Sequence, residues 1–113
     1  MHFDAGLEIH IQLRTKTKAF SSSPIRFGDK PNSCASVIDM AFPGTLPVVN
    51  KEMLRQAIML GDWLNAEVNS TITFARKHYF YPDLPKGYQI TQDENPILLG
   101  GHLDFELNGR KTM

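Results

Sequence analysis

The chain is 113 residues long, 42% hydrophobic and 21% charged, and its twelve lysines and arginines balance twelve aspartates and glutamates. That is one small domain of ordinary soluble composition, with a modest core burying roughly 65% of the unfolded surface. Zero formal charge argues against a grip on duplex nucleic acid made chiefly by neutralising phosphates. The single cysteine, Cys34, excludes an internal disulfide or a multi-cysteine zinc cage and fits a reducing compartment, and no apolar run approaches the ~18 residues of a membrane span.

Residues 6–13 alternate Leu7, Ile9, Ile11 and Leu13 with Glu8, His10 and Gln12, the period of a half-buried strand. Three basic residues separated by threonines follow over Arg14–Lys18. Phe20–Pro31 reads as a Ser-, Pro- and Gly-rich loop, and a short strand is predicted around Ala35–Ile38. Phe42–Pro47, with two prolines and a glycine, is a turn of defined geometry.

Asn50 is placed as an N-cap for a helix from Lys51 to about Leu64. Leu54, Ala57, Ile58, Gly61 and Leu64 form its apolar stripe, and Asn65 stops it. Ser70–Phe74 is a β-rich run, Tyr88–Gln92 alternates as a strand, and Asp93–Pro96 is a turn. His102–Leu107 is a further strand, and Asn108-Gly109 is the strongest short hairpin signal. The return strand would be Arg110–Met113. A hairpin cut so soon after its turn suggests a piece of a longer protein.

Two constellations carry candidate chemistry. Glu8 and His10, two apart on a strand, would share one face roughly 7 Å apart. A carboxylate and an imidazole there suit magnesium or manganese in a phosphate-handling site, or zinc in a hydrolase; a solvent-facing polar edge is the bland alternative. The second runs from Arg76, Lys77 and His78 through Tyr79, Phe80 and Tyr81 to Lys86. Basic groups beside aromatics can hold phosphates and stack bases, and Lys77 and Lys86 could converge on one anion across the Pro82–Pro85 turn. Core aromatics with solvated charges are the alternative there. Ser21–Ser23 lack the motif of a serine nucleophile, and Cys34 lacks a CxxC partner. No Walker A loop or G-x-G-x-x-G fingerprint is present.

Taken in order, Gly6–Leu13 with Thr15–Lys18, Phe27-Gly28, Pro31-Asn32, Phe42–Asn50 and Arg76–Ile90 resemble the GatB family, the B subunits of aspartyl/glutamyl-tRNA amidotransferases. The resemblance implies an α+β fold with an antiparallel-rich sheet and packed helices, similar to the glutamine synthetase catalytic fold and incomplete here. It implies a carbon–nitrogen ligase of the cytoplasm, working as one member of a heterotrimer. ATP would phosphorylate the side-chain carboxylate of misacylated Glu-tRNA(Gln) or Asp-tRNA(Asn), and ammonia would displace the phosphate. The implied partners are the amidase subunit, which releases ammonia from glutamine, the small third subunit that ties it to GatB, and the misacylated tRNA; no membrane is involved.

By the same resemblance Glu8 and His10 are metal ligands for Mg2+, with Mn2+ an alternative. Lys77 and Lys86 are catalytic, and Tyr81 and Gln89 line the cofactor pocket. Residues 1–113 would be the N-terminal part of the catalytic domain, with further acidic ligands and the helical and tail tRNA-binding domains lying beyond. Some family members carry two cysteine pairs for structural zinc; here those positions are Ser21, Ser23, Ser36 and Asp39, so no zinc is expected and packing and turn geometry must hold the loop. The rivals are a non-catalytic RNA- or protein-binding module using Arg76–Tyr81, and a stand-alone metal-dependent hydrolase built on Glu8 and His10.

Overall fold

A computed structural model describes residues 2–112. It holds one helix, α1 (Lys51–Trp63), and six short strands: β1 (Glu67–Val68), β2 (Ala75–His78), β3 (Tyr88–Thr91), β4 (Leu98–Leu99), β5 (Phe105–Leu107) and β6 (Arg110–Thr112). The strands pair antiparallel as β1–β4, β2–β3 and β5–β6. The class is α+β, as expected, but the described strands form three two-stranded ladders rather than one sheet, beside a single helix.

The helix is set by local chemistry at both ends. Asn50 Oδ1 accepts the amides of Glu52 at 2.9 Å and Met53 at 3.4 Å, filling two of the unpaired first-turn donors. At the other end Asn65 turns left-handed at φ 51°. The Ala66 amide then reaches Gly61 O at 2.9 Å and the Asn65 amide reaches Asp62 O at 3.3 Å, a Schellman closure with asparagine in the place usually taken by glycine. Of the predicted stripe, Gly61 is buried, Leu54, Ala57 and Leu64 are half-buried, and Ile58 is 40% exposed. Gly61 faces Leu98 of β4 so closely that an added Cβ would overlap the leucine side chain.

Phe20 and Phe74 meet edge-to-face at 5.2 Å between ring centroids. With Met53, Ile90 and Ile97 they line one open apolar pocket. No hydrophobic side chain among the described residues is fully buried. The radius of gyration, 17.6 Å, exceeds the about 13 Å of a compact domain of this length.

An arm over residues 16–25 folds back on itself: Thr17 bridges Pro24, and the Lys18 amide donates to Ser23 O at 3.0 Å. The same arm receives the Val48 amide at Phe20 O (3.1 Å) and the Asn50 amide at Ala19 O (2.8 Å). At Phe42–Thr45 the predicted turn forms, with Pro43 second and Gly44 at φ 78° third. That φ is the left-handed value a type II turn demands of its third residue. The Thr45 amide closes it on Phe42 O at 3.2 Å.

Four expectations need correction. Residues 6–13 form no ladder among the described residues, and Leu7, Ile9 and Ile11 stand 85%, 73% and 52% exposed. Alternation creates a face suited to burial, but a strand exists only where a neighbour takes its hydrogen bonds. Ala35–Ile38 is not a strand, because Asp39 accepts the Ser36 amide at 2.8 Å and bends the chain into turns. Ser70–Phe74 runs as a loop beside residues 92–97, where Asn95 O accepts the Thr73 amide at 3.1 Å; pairing begins only at Ala75. His102–Leu107 pairs only from Phe105. The hairpin turn is as expected, with Asn108 at φ 52° and Gly109 at φ 75° and Leu107 opposite Arg110. The return strand is described to Thr112; its predicted last residue, Met113, lies outside the described residues.

Candidate functional site

The β2–β3 ladder carries most of the candidate residues. Its register sets Ala75 opposite Thr91, Arg76 opposite Ile90, Lys77 opposite Gln89, and His78 opposite Tyr88. Cross-strand partners share a face and neighbours along a strand do not. Arg76, His78, Tyr88 and Ile90 therefore occupy one face, and Lys77 and Gln89 the other.

This parity separates two residues expected to converge. Lys86, just before β3, brings its ammonium to 5.5 Å from the Tyr88 ring centroid, and the Arg76 guanidinium lies 4.7 Å from the same ring. The pair gathered on one site is thus Arg76 and Lys86, not Lys77 and Lys86. Lys77 is exposed and shares its face with Gln89, also exposed. Tyr81 is 62% exposed, stacks on Tyr79 at 5.7 Å and does not line the cleft beside Tyr88.

Arg76, Lys86 and Tyr88 form one wall of an open cleft of about 530 Å³. Residues of the Phe42–Pro47 turn form another wall of the same cleft, with Ile38 and Ala41. The two charged side chains in this lining are both cations. Two cations drawn to one aromatic ring, Arg76 exposed and Lys86 half-buried, with no carboxylate among the residues lining the cleft, suit an anion with several oxygens. Arg76 as a partner of Lys86 was the signal missed: counting back from Tyr88 across the predicted turn pairs it with His78 and puts Arg76, not Lys77, on the tyrosine's face.

Glu8 and His10 are exposed, and no group of three or more His, Cys, Asp and Glu side chains gathers for a metal among the described residues. The pair offers one hard oxygen and one imidazole nitrogen, both accessible. That donor set fits a divalent cation with the remainder of about six ligands supplied from elsewhere.

The positions Ser21, Ser23, Ser36 and Asp39 do come together, around the Asp39 carboxylate. It accepts Ser21 Oγ at 3.0 Å, Ser23 Oγ at 2.5 Å, Ser36 Oγ at 3.1 Å and the Ser36 amide at 2.8 Å, and the Lys18 ammonium lies 3.4 Å away. Burial pushes the Asp39 carboxyl up, but hydrogen bonds from Ser23, the Ser36 amide, Ser21 and the Ser36 hydroxyl together outweigh it and hold the group well below the usual carboxylate range. Three hydroxyls around an already saturated carboxylate do not fit zinc, which takes thiolate, imidazole or free carboxylate. A charged hydrogen-bond cluster holds the loop alongside the turn geometry expected of it, in which the Met40 amide reaches Ser36 O and the Phe42 amide reaches Val37 O.

A family model described as the GatB/GatE catalytic domain matches residues 3–113. The chain is 53% identical over 107 residues to the B subunit of the aspartyl/glutamyl-tRNA(Asn/Gln) amidotransferase of Marinomonas sp. (strain MWYL1), covering 95% of this chain and 22% of that protein. It is 53% identical over 109 residues to the protein of the same name from Francisella tularensis subsp. novicida (strain U112), covering 96% and 23%. To that of Pseudomonas fluorescens (strain Pf0-1) it is 57% identical over 102 residues, covering 90% and 21%. The chain spans about a fifth of the length of the curated relatives it matches.

Proposed function

The chain belongs to the GatB/GatE catalytic-domain family, and from that premise we propose that it supplies the front of a transamidating active site in a GatB subunit. The reaction is the ATP-dependent amidation of Glu-tRNA(Gln) or Asp-tRNA(Asn). The side-chain carboxylate attacks the γ-phosphorus of ATP and ADP leaves. Ammonia then attacks the acyl carbon, phosphate leaves, and the amide forms. Glutamine hydrolysed by the amidase subunit supplies the ammonia, the small third subunit completes the heterotrimer, and the setting is the cytoplasm. Residues 1–113 are the N-terminal part of a catalytic domain with a glutamine synthetase-like fold, and further domains of the GatB subunit hold the tRNA.

The observation that carries this reading is the cleft that Arg76, Lys86 and Tyr88 line together with the Phe42–Pro47 turn. A carboxylate is a poor acyl donor, and phosphorylation gives it a leaving group at the cost of gathering several anionic oxygens. Arg76 and Lys86 bind and orient those oxygens, and the Tyr88 ring draws both cations to one side of the ladder. Lys77, catalytic by the family resemblance, and Gln89 and Tyr81, which line the cofactor pocket by the same resemblance, do not line this cleft and would meet the substrates only where other parts of the enzyme complete the site. Glu8 and His10 would hold a Mg2+ or Mn2+ ion, which when bound neutralises phosphate charge.

The test uses a GatB subunit carrying this sequence, assembled with the amidase and small subunits, and single-turnover transfer of the γ-phosphoryl group to Glu-tRNA(Gln). Arg76→Met and Lys86→Met should each slow transfer about 100-fold or more, the usual loss for one preorganised charge donor. Glu8→Gln and His10→Ala should abolish transfer while glutamine hydrolysis by the amidase persists. Wild-type transfer in the Arg76 and Lys86 variants would overturn the cleft assignment.

A second reading is favoured by one observation. Phe80 is 84% exposed and Tyr81 62% exposed, beside Arg76, Lys77 and His78, as in a surface that stacks unpaired bases. RNA binding that weakens steeply with salt and ignores magnesium would select this reading.

A further inference from the structure

Ser21 and Ser23 are the two polar side chains buried among the described residues, at 7% and 4% exposure. Neither has a part in the proposed phosphoryl transfer. Both serve Asp39, eighteen and sixteen residues away. The two carboxylate oxygens offer about four acceptor sites. Oδ2 takes the hydroxyls of Ser21, Ser23 and Ser36 and the Ser36 amide, and Oδ1 takes the Lys18 ammonium and a longer contact from Ser21 Oγ.

The same arm makes a second attachment. Phe20 O and Ala19 O accept the amides of Val48 and Asn50 at 3.1 and 2.8 Å. Residues 18–23 thus grip a loop at both feet: at Asp39 through side chains, and at Val48 and Asn50 through backbone. Between the feet lies the Phe42–Pro47 wall of the cleft. Pro43, Pro47 and the closed turn stiffen that wall, so movement at a foot is carried to the wall rather than absorbed.

We propose that Asp39 is a positioning residue for the cleft: by fastening the loop to the arm at residues 18–23, it sets where the Phe42–Pro47 turn stands relative to Arg76 and Lys86. The fastening stands on the hydrogen bonds alone. Its consequence for binding rests on reading the cleft as an anion site.

The experiment uses a GatB subunit carrying this sequence. Asp39→Asn keeps the size and removes the charge; Ser23→Ala removes one donor and serves if the first variant does not fold. Amide hydrogen exchange of Ser36, Met40, Phe42 and Val48 should quicken about 10-fold or more in Asp39→Asn, the scale of lost charge-assisted hydrogen bonds, and less in Ser23→Ala. Exchange within Lys51–Trp63 should not change. Inorganic pyrophosphate, followed through the amide resonances of Arg76 and Lys86, should bind more weakly to both variants. Unchanged loop exchange, or equal quickening in loop and helix, would overturn the fastening. A loosened loop with unchanged pyrophosphate affinity would overturn the positioning role. If the wild-type chain binds no pyrophosphate while the variant loop loosens, the fastening is upheld and the anion reading of the cleft fails instead.

Discussion

Asn50 joins the helix to the arm, and its two ends do different work. Oδ1 caps α1 by accepting from Glu52 and Met53. Nδ2 points the other way, toward Thr17 Oγ1 at 2.9 Å, Thr17 O at 3.2 Å and Lys18 O at 3.3 Å. An amide nitrogen carries two hydrogens, so at most two of these three contacts count in full. Losing the cap costs about 1 kcal/mol. Two half-buried neutral hydrogen bonds contribute about 1 kcal/mol each. Asn50→Ala should therefore destabilise by about 3 kcal/mol. Asn50→Ser keeps a capping oxygen and loses only the arm, a loss of about 2 kcal/mol. Urea unfolding of the 113-residue chain, followed by far-ultraviolet circular dichroism, gives the order wild type, then Asn50→Ser, then Asn50→Ala. A serine variant as stable as wild type would show that the Thr17 and Lys18 bonds contribute nothing. Serine and alanine variants of equal stability would remove the cap.

Two further outcomes follow from the same geometry. The depressed Asp39 carboxyl stabilises the fold fully above its unfolded value, near about 4, and that contribution fades as pH falls below it toward the folded value. Wild-type urea midpoints should accordingly drop more steeply below pH ~4 than those of Asp39→Asn, and parallel pH profiles would refute this. At Gly61, alanine gains about 1 kcal/mol of helix propensity but forces Leu98 into another rotamer at a similar cost, so Gly61→Ala alone should be near neutral. In a Leu98→Ala background the same change should stabilise by about 1 kcal/mol; additive effects in the two backgrounds would show that Leu98 is not the opposing contact.

The features legible in the sequence are those whose partners lie within a few residues. Asn50 caps residues two and three ahead, Asn65 closes on Gly61 through Ala66, and Asn108-Gly109 forces its own hairpin. The cleft was half legible. Its basic and aromatic residues sit in one stretch, but which cation joins Lys86 depends on strand parity, and a one-residue error exchanges Lys77 for Arg76. The Asp39 cluster was not legible as a clasp, because serines score as loop residues and nothing local tells Ser21 that its acceptor lies eighteen residues on.

Residues 6–13 show the limit most directly. Their alternation is a statement about two surroundings, a strand alongside and an apolar layer against Leu7, Ile9 and Ile11, and the described residues supply neither. Glu8 and His10 share the consequence. A metal site needs its donors held in place, and a segment without a ladder holds them only loosely. With Glu8 and His10 as the proposed ligands, a neighbour that pairs with this segment would hold both donors in place, and ordering of the strand would then be coupled to affinity for magnesium. Substituting Leu7 and Ile11 together with serine should then weaken magnesium-dependent phosphoryl transfer in the assembled enzyme although neither side chain can bind metal. Excess magnesium should restore part of the lost rate, since an ion that binds only the ordered state draws the segment toward it. A rate unchanged by the substitutions, or a loss that magnesium cannot relieve, would separate the strand from the metal.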